Sequence, residues 1–174
     1  MFIFHDPTIE FVVPEPQIRE LRFSASVTTR HGGTRSMRVT SRSEEDRMEL
    51  MTPLVLLKRQ AERLCLESRQ VPGGATVYTI DPGDKSLFVG YVEQARTNLR
   101  YQAEDLALTA KAALQKWWAA QTKSLLADDP LIRDLKVSYV TTDGDCRPAA
   151  SLITGLRFKT SRGVVPVLTN WAVA

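Results

Sequence analysis

The stretch from Glu93 to Ala127 contains neither glycine nor proline, and nothing else in the chain limits its fold as much. Good helix formers dominate it, above all the Ala, Lys and Leu residues of Thr109–Gln115. At 1.5 Å per residue a continuous helix here runs about 50 Å, longer than a usual helix or a domain of this size. Such a rod must either break or project beyond a core. Its apolar stripe runs Val92, Leu99, Ala103, Leu106, Ala110, Ala113, Trp117, Ala120, spaced mainly by three and four residues as in a helix-packing seam. Much of the seam is alanine, which lets another helix approach closely. Leu99, Ala103, Leu106, Ala110, Trp117 and Trp118 are therefore the candidate partner-helix interface. Neighbouring helix residues point about 100° apart. Trp117 lies on the stripe and Trp118 off it, nearer Tyr101, Leu108 and Leu125. Either the helix is buried on two sides or one tryptophan anchors a partner.

The rest of the chain reads as strands and shorter helices around this spine. Residues 1–18 alternate apolar runs with Pro14 and Pro16, which suits an extended apolar arm or an edge strand. Residues 19–42 form a basic β-hairpin: Leu21, Phe23, Ala25 and Val27 alternate with Arg22, Ser24, Ser26 and Thr28, and His31-Gly32-Gly33 turns the chain toward Met37 and Val39. Residues 43–70 read as helices, with Ser43 as cap, acids Glu44, Glu45 and Asp46 in the first turn, and a fresh start at Thr52-Pro53. Residues 75–92 read as a hairpin turning at Asp81-Pro82-Gly83-Asp84, with Leu87 to Val92 as the return strand. After Asp128-Asp129-Pro130, Pro130 to Asp134 reads as a short helical turn. Residues 135–174 read as β, with Leu152, Thr154, Leu156 and Phe158 alternating. The fold class expected is α+β: antiparallel hairpins from both ends of the chain packed on helices, as a single domain over 1–174, with one long central helix.

Composition excludes several classes of function. The chain has 174 residues, 43% hydrophobic and 25% charged, at globular averages. Cys65 and Cys146 are too far apart in sequence for a C-x-x-C ligand pair and too few for a disulfide framework, so a reducing compartment fits. No apolar run reaches membrane-spanning length, and the N-terminus lacks the charged start of a signal peptide. The expectation is a cytoplasmic or virion protein with no membrane contact. His5 and His31 do not combine with the cysteines into a zinc pattern. Asp143-x-Asp145 lacks the further acids of a calcium loop and reads as a turn. No phosphate-binding loop, dinucleotide fingerprint or nucleophile elbow is present. No catalytic residue, cofactor or metal is assigned, and the expectation is a non-enzyme.

Arginine supplies most of the positive charge, and six arginines (Arg19, Arg22, Arg30, Arg35, Arg38, Arg42) face a single acid, Glu20, between positions 19 and 42. Guanidinium groups beside a glycine turn and hydroxyls suit phosphate or interface carboxylates. Arg22, Arg30, Gly32, Gly33, Arg35, Arg38 and Arg42 are accordingly the candidate phosphate, nucleic-acid or interface set. Acids at Glu44, Glu45, Asp46 and Glu49 lie just downstream as competing partners.

A helix longer than its core, an apolar proline-bearing arm and a small-residue seam together predict a subunit that completes itself on neighbours. The expected function is a non-enzymatic structural protein of a homo-oligomer or larger assembly. Layouts of strand, arm and long helix are common in bacteriophage tail and neck proteins, and the chain looks broadly like one in architecture. The alternative is a nucleic-acid-associated subunit that grips phosphate through the 19–42 hairpin.

Overall fold

Alternating strands and one unbroken helical run give an α+β fold of two antiparallel sheets with a long helix. The computed structural model describes residues 8–29, 33–121 and 131–160. In chain order the elements are β1 (Ile9–Val13), β2 (Ile18–Thr29), β3 (Gly33–Ser41), α1 (Glu44–Leu64), β4 (Glu67–Gln70), β5 (Thr76–Ile80), a 3-10 turn (Pro82–Asp84), α2 (Lys85–Gln121), β6 (Leu131–Thr141), β7 (Cys146–Pro148), α3 (Ala150–Thr154) and β8 (Arg157–Thr160). The chain divides into two compact units that it enters in turn, crossing after Pro16, Thr52, Arg96 and Ile153. Each unit owns one sheet.

The first unit holds the sheet β4-β5-β1-β8. β1 lies inside it, paired antiparallel with β5 on one side and β8 on the other. Residues 9–13 are thus a central strand and neither a free arm nor an edge; Phe11 and Val13 are fully buried. The prolines that suggested an edge, Pro14 and Pro16, fall after the strand ends and cost it no ladder bond. Residues 1–7 of the expected arm lie outside the described residues. Phe11 stands opposite Tyr78 and Phe158 in register, with ring centroids 5.3 and 5.6 Å away, and Phe88 of α2 covers it at 5.2 Å.

Burial, and then the neighbouring Glu62 carboxylate, holds the Tyr78 phenol far above its ordinary value of 10.0. The folded protein therefore keeps this proton where the unfolded chain releases it. The Tyr78 contribution to stability is intact below pH 10 and declines as pH climbs beyond it. Urea titrations at pH 8 and pH 11 should show this fall shrinking in Tyr78→Phe; an unchanged fall would place its source elsewhere.

Residues 75–92 are not a hairpin. Asp81 caps the 3-10 turn, its carboxylate accepting from the Gly83 amide at 2.8 Å, and Pro82 sits at its first position. The chain passes directly into α2. Leu87 to Val92 looks strand-like in composition, yet Phe88, Val92, Ala95 and Leu99 are the buried residues, at spacings of four, three and four. That is a helical period, and it starts the long helix at Lys85 instead of Glu93. The helix is continuous for 37 residues, about 55 Å, to Gln121; the expected remainder to Ala127 lies outside the described residues.

The hairpin partner of β5 is β4, which occupies Glu67–Gln70 at the end of the stretch expected to be helical. α1 stops at Leu64, and Pro72-Gly73-Gly74 makes the hairpin turn. Within α1 the expected restart at Thr52-Pro53 is absent. The helix runs through Pro53, whose missing amide is accompanied by a Thr52 hydroxyl donated to the Met48 carbonyl at 2.6 Å. Ser43 does cap α1: its hydroxyl accepts from the Asp46 amide at 3.3 Å.

The second unit holds the sheet β3-β2-β6-β7. The 19–42 hairpin forms as expected, in continuous register from Leu21 opposite Ser41 to Thr29 opposite Gly33, with Gly33 at φ +69°. Leu21, Phe23, Ala25 and Val27 are buried, and a cluster of Ala25, Val27, Leu114 and Ile132 packs α2 on this sheet. The helical turn expected over Pro130 to Asp134 is not found: Pro130 lies outside the described residues, and from Leu131 onward the chain is strand β6, paired with β2. Residues 150–154 are a short helix, not strand: Leu152 is buried, and its amide donates to the Ala149 carbonyl three residues back at 3.0 Å. The closing strand expected from Val164 to Val173 lies outside the described residues.

Candidate functional site

The inward residues of β2 fix what its other face presents. Arg22, Ser24, Ser26 and Thr28 point away from the core, and the register gives each of them two neighbours. Arg22 lies between Thr40 of β3 and Ser138 of β6. Ser24 lies between Arg38 and Lys136, Ser26 between Ser36 and Arg133, and Thr28 between Thr34 and Leu131. The face is a lattice of hydroxyls carrying four cations from three strands. Residues diagonal across a strand pair stand about 7–8 Å apart, so Arg22, Arg38 and Lys136 surround Ser24.

A bulge makes this arrangement possible. Between Ser24 and Ser26 there is one residue on β2, whereas between their partners Lys136 and Arg133 there are two. The extra residue is taken up where Asp134 adopts φ +55°. Without it, positions three apart would face opposite sides, and one of the two cations would point into the core.

Arg22 is the anchored member. Glu20, only 6% exposed, sits 3.6 Å from both the Arg22 and Arg19 guanidinium groups. At this end Glu20 pairs with Val140 and both are buried, so the open part of the face begins at the Arg22 row. Arg38, Arg133 and Lys136 are exposed and form no ion pair with any described residue. The downstream acids do not quench them: Asp46 instead accepts from the Ser41 hydroxyl at 2.6 Å. Thr28 and Thr34 share a hydroxyl hydrogen bond of 2.9 Å.

Of the residues singled out in the sequence, Arg22 and Arg38 belong to this face. Arg35 is exposed but opposite Val27, on the other side of the sheet. Arg42 lies just beyond β3, its carbonyl accepting from Arg47 at 3.2 Å. Gly33 opens β3. Arg30 and Gly32 lie outside the described residues. Arg133 and Lys136 were missed, because nothing local revealed that β6 lies beside β2.

The partner-helix candidates fall differently. Leu99, Leu106 and Ala110 are buried within this chain, and Ala103 is half-buried. The two tryptophans exchange their expected places. Trp118 packs on the Ala25–Leu114 cluster, whereas Trp117 is 48% exposed. The expected stripe stepped 3.5 residues at a time, but the buried face proceeds from Leu106 to Ala110, Leu114 and Trp118 in steps of four. The faces left open carry Tyr101 and Leu108, each 64% exposed.

The turn at Asp143 is a local structure. Its carboxyl lies below the usual range because the Thr141 hydroxyl donates to it. No three His, Cys, Asp or Glu side chains gather as a metal site among the described residues. A surface concavity of about 500 Å³ has Leu56, Arg59, Gln60, Glu62 and Arg63 in its wall, all from α1. No described helix is long and apolar enough to cross a membrane. Comparison with protein-family models, curated proteins and solved structures finds no match for this chain.

Proposed function

We propose that the chain is a non-enzymatic assembly subunit that associates with copies of itself through α2. The observation that supports this reading is the exposure of Tyr101 and Leu108, two turns apart on one helix face. Large apolar side chains left in water on a regular face mark association surfaces. The proposed setting is a virion, as a tail or neck component, on the analogy of layout alone.

Mass photometry at micromolar concentration should find a defined oligomer. Tyr101→Ser with Leu108→Ser should shift it toward monomer by more than tenfold in dissociation constant while leaving the melting temperature of the monomer unchanged. A wild-type chain that stays monomeric up to tens of micromolar refutes the reading.

A further inference from the structure

We propose that the outer face of the β3-β2-β6 sheet binds the phosphate backbone of duplex nucleic acid, without reading its sequence. The contacts assigned are Arg38, Arg133 and Lys136, with Arg22 held beside them by Glu20. This goes beyond self-association, since it concerns a different surface and ligand.

Three features of the face choose the ligand. The cations come from three strands, and Arg38, Arg133 and Lys136 form no ion pair among the described residues, so they repel one another until a polyanion neutralises them. The positions between them are hydroxyls, at Ser24, Ser26 and Ser36, which donate to phosphate oxygens. The open rows carry no aromatic side chain, and Leu131 stands at the end of the face. Bases of a single strand would need aromatic platforms to stack on. A protein partner would be expected to meet an apolar centre with aromatic anchors. What remains is the charged backbone of a duplex, met by exposed cations on a strand surface. The bulge at Asp134 gives the arrangement its form, because it turns Arg133 and Lys136 to the same side.

The test is fluorescence anisotropy of a labelled 20-base-pair duplex of arbitrary sequence, between 50 and 200 mM salt. Each neutralised phosphate contributes about −0.9 to the slope of log K against log salt. Replacing Arg38, Arg133 and Lys136 together by serine should make the slope shallower by about 2.7, so that the wild type loses about 40-fold more affinity than the variant over that range. Arg35→Ser with Arg42→Ser, which lie off the face, should keep most of the wild-type slope. A second duplex of different sequence should bind within twofold.

If the triple variant does not fold by circular dichroism, Lys136→Gln alone serves, with an expected loss of about 0.9 in slope. A wild-type slope shallower than about −1, or a folded variant that keeps the full slope, overturns the proposal. So does poly-glutamate competing as well as duplex at equal charge, which would assign the face to an acidic protein.

Discussion

Phe11→Ala should remove about 3–5 kcal/mol of folding stability, the range for truncating a buried phenylalanine. Phe11 is 0% exposed and occupies one of the two inner strands of its sheet. Its ring lies between the Tyr78 and Phe158 rings across β5 and β8, and Phe88 closes it from α2. Aromatic pairs of this kind add to simple area burial. The void cannot collapse easily, because strands on both sides hold the backbone at fixed spacing. Urea denaturation should show a lowered midpoint with an unchanged m-value. A loss under about 1 kcal/mol would mean that the aromatic row does not carry the sheet.

The second large effect is expected at the β4–β5 turn, where two adjacent glycines separate strain from collision. Gly73 and Gly74 have φ of +101° and +94°, where side-chain-bearing residues are disfavoured. A Cβ on Gly73 meets open space, so Gly73→Ala should cost only the backbone strain, about 1–2 kcal/mol. A Cβ on Gly74 would stand 2.8 Å from the Glu15 carbonyl oxygen, a backbone atom that cannot rotate away. Gly74→Ala should therefore cost about 3 kcal/mol or more, and push back the segment whose Glu15 carboxylate pairs with Lys58 at 2.6 Å. The ordering is the prediction. Equal losses at the two sites, measured by equilibrium denaturation, would show that the Glu15 backbone yields.

Signals confined to a few residues were the legible ones. The hairpin of β2 and β3 followed from alternation at Leu21, Phe23, Ala25 and Val27, and the Ser43 cap from its chemistry. Leu87 to Val92 misled because β-branched and aromatic residues favour strands, whereas packing of Phe88 on Phe11 and burial of Val92 one helical turn on overrode that preference. β1 misled because its prolines lie just beyond it. Trp117 and Trp118 misled because the buried face changes its step near the end of α2, and a fixed heptad spacing cannot show that. The basic face was half visible: Arg22 and Arg38 are local to one hairpin, but Arg133 and Lys136 join them through long-range pairing and a bulge, neither of which leaves a mark in neighbouring residues.

The interleaving of the two units bears on how a ribosome can deliver this protein. β1 is made long before its partner β8, and β2 must likewise wait for β6. Neither sheet can close before its returning strand is made, so both nascent units leave strand edges open while the intervening segments are synthesised. Chaperone demand should therefore persist until β6 and β8 have emerged, and products truncated before them should be cleared instead of accumulating as folded fragments.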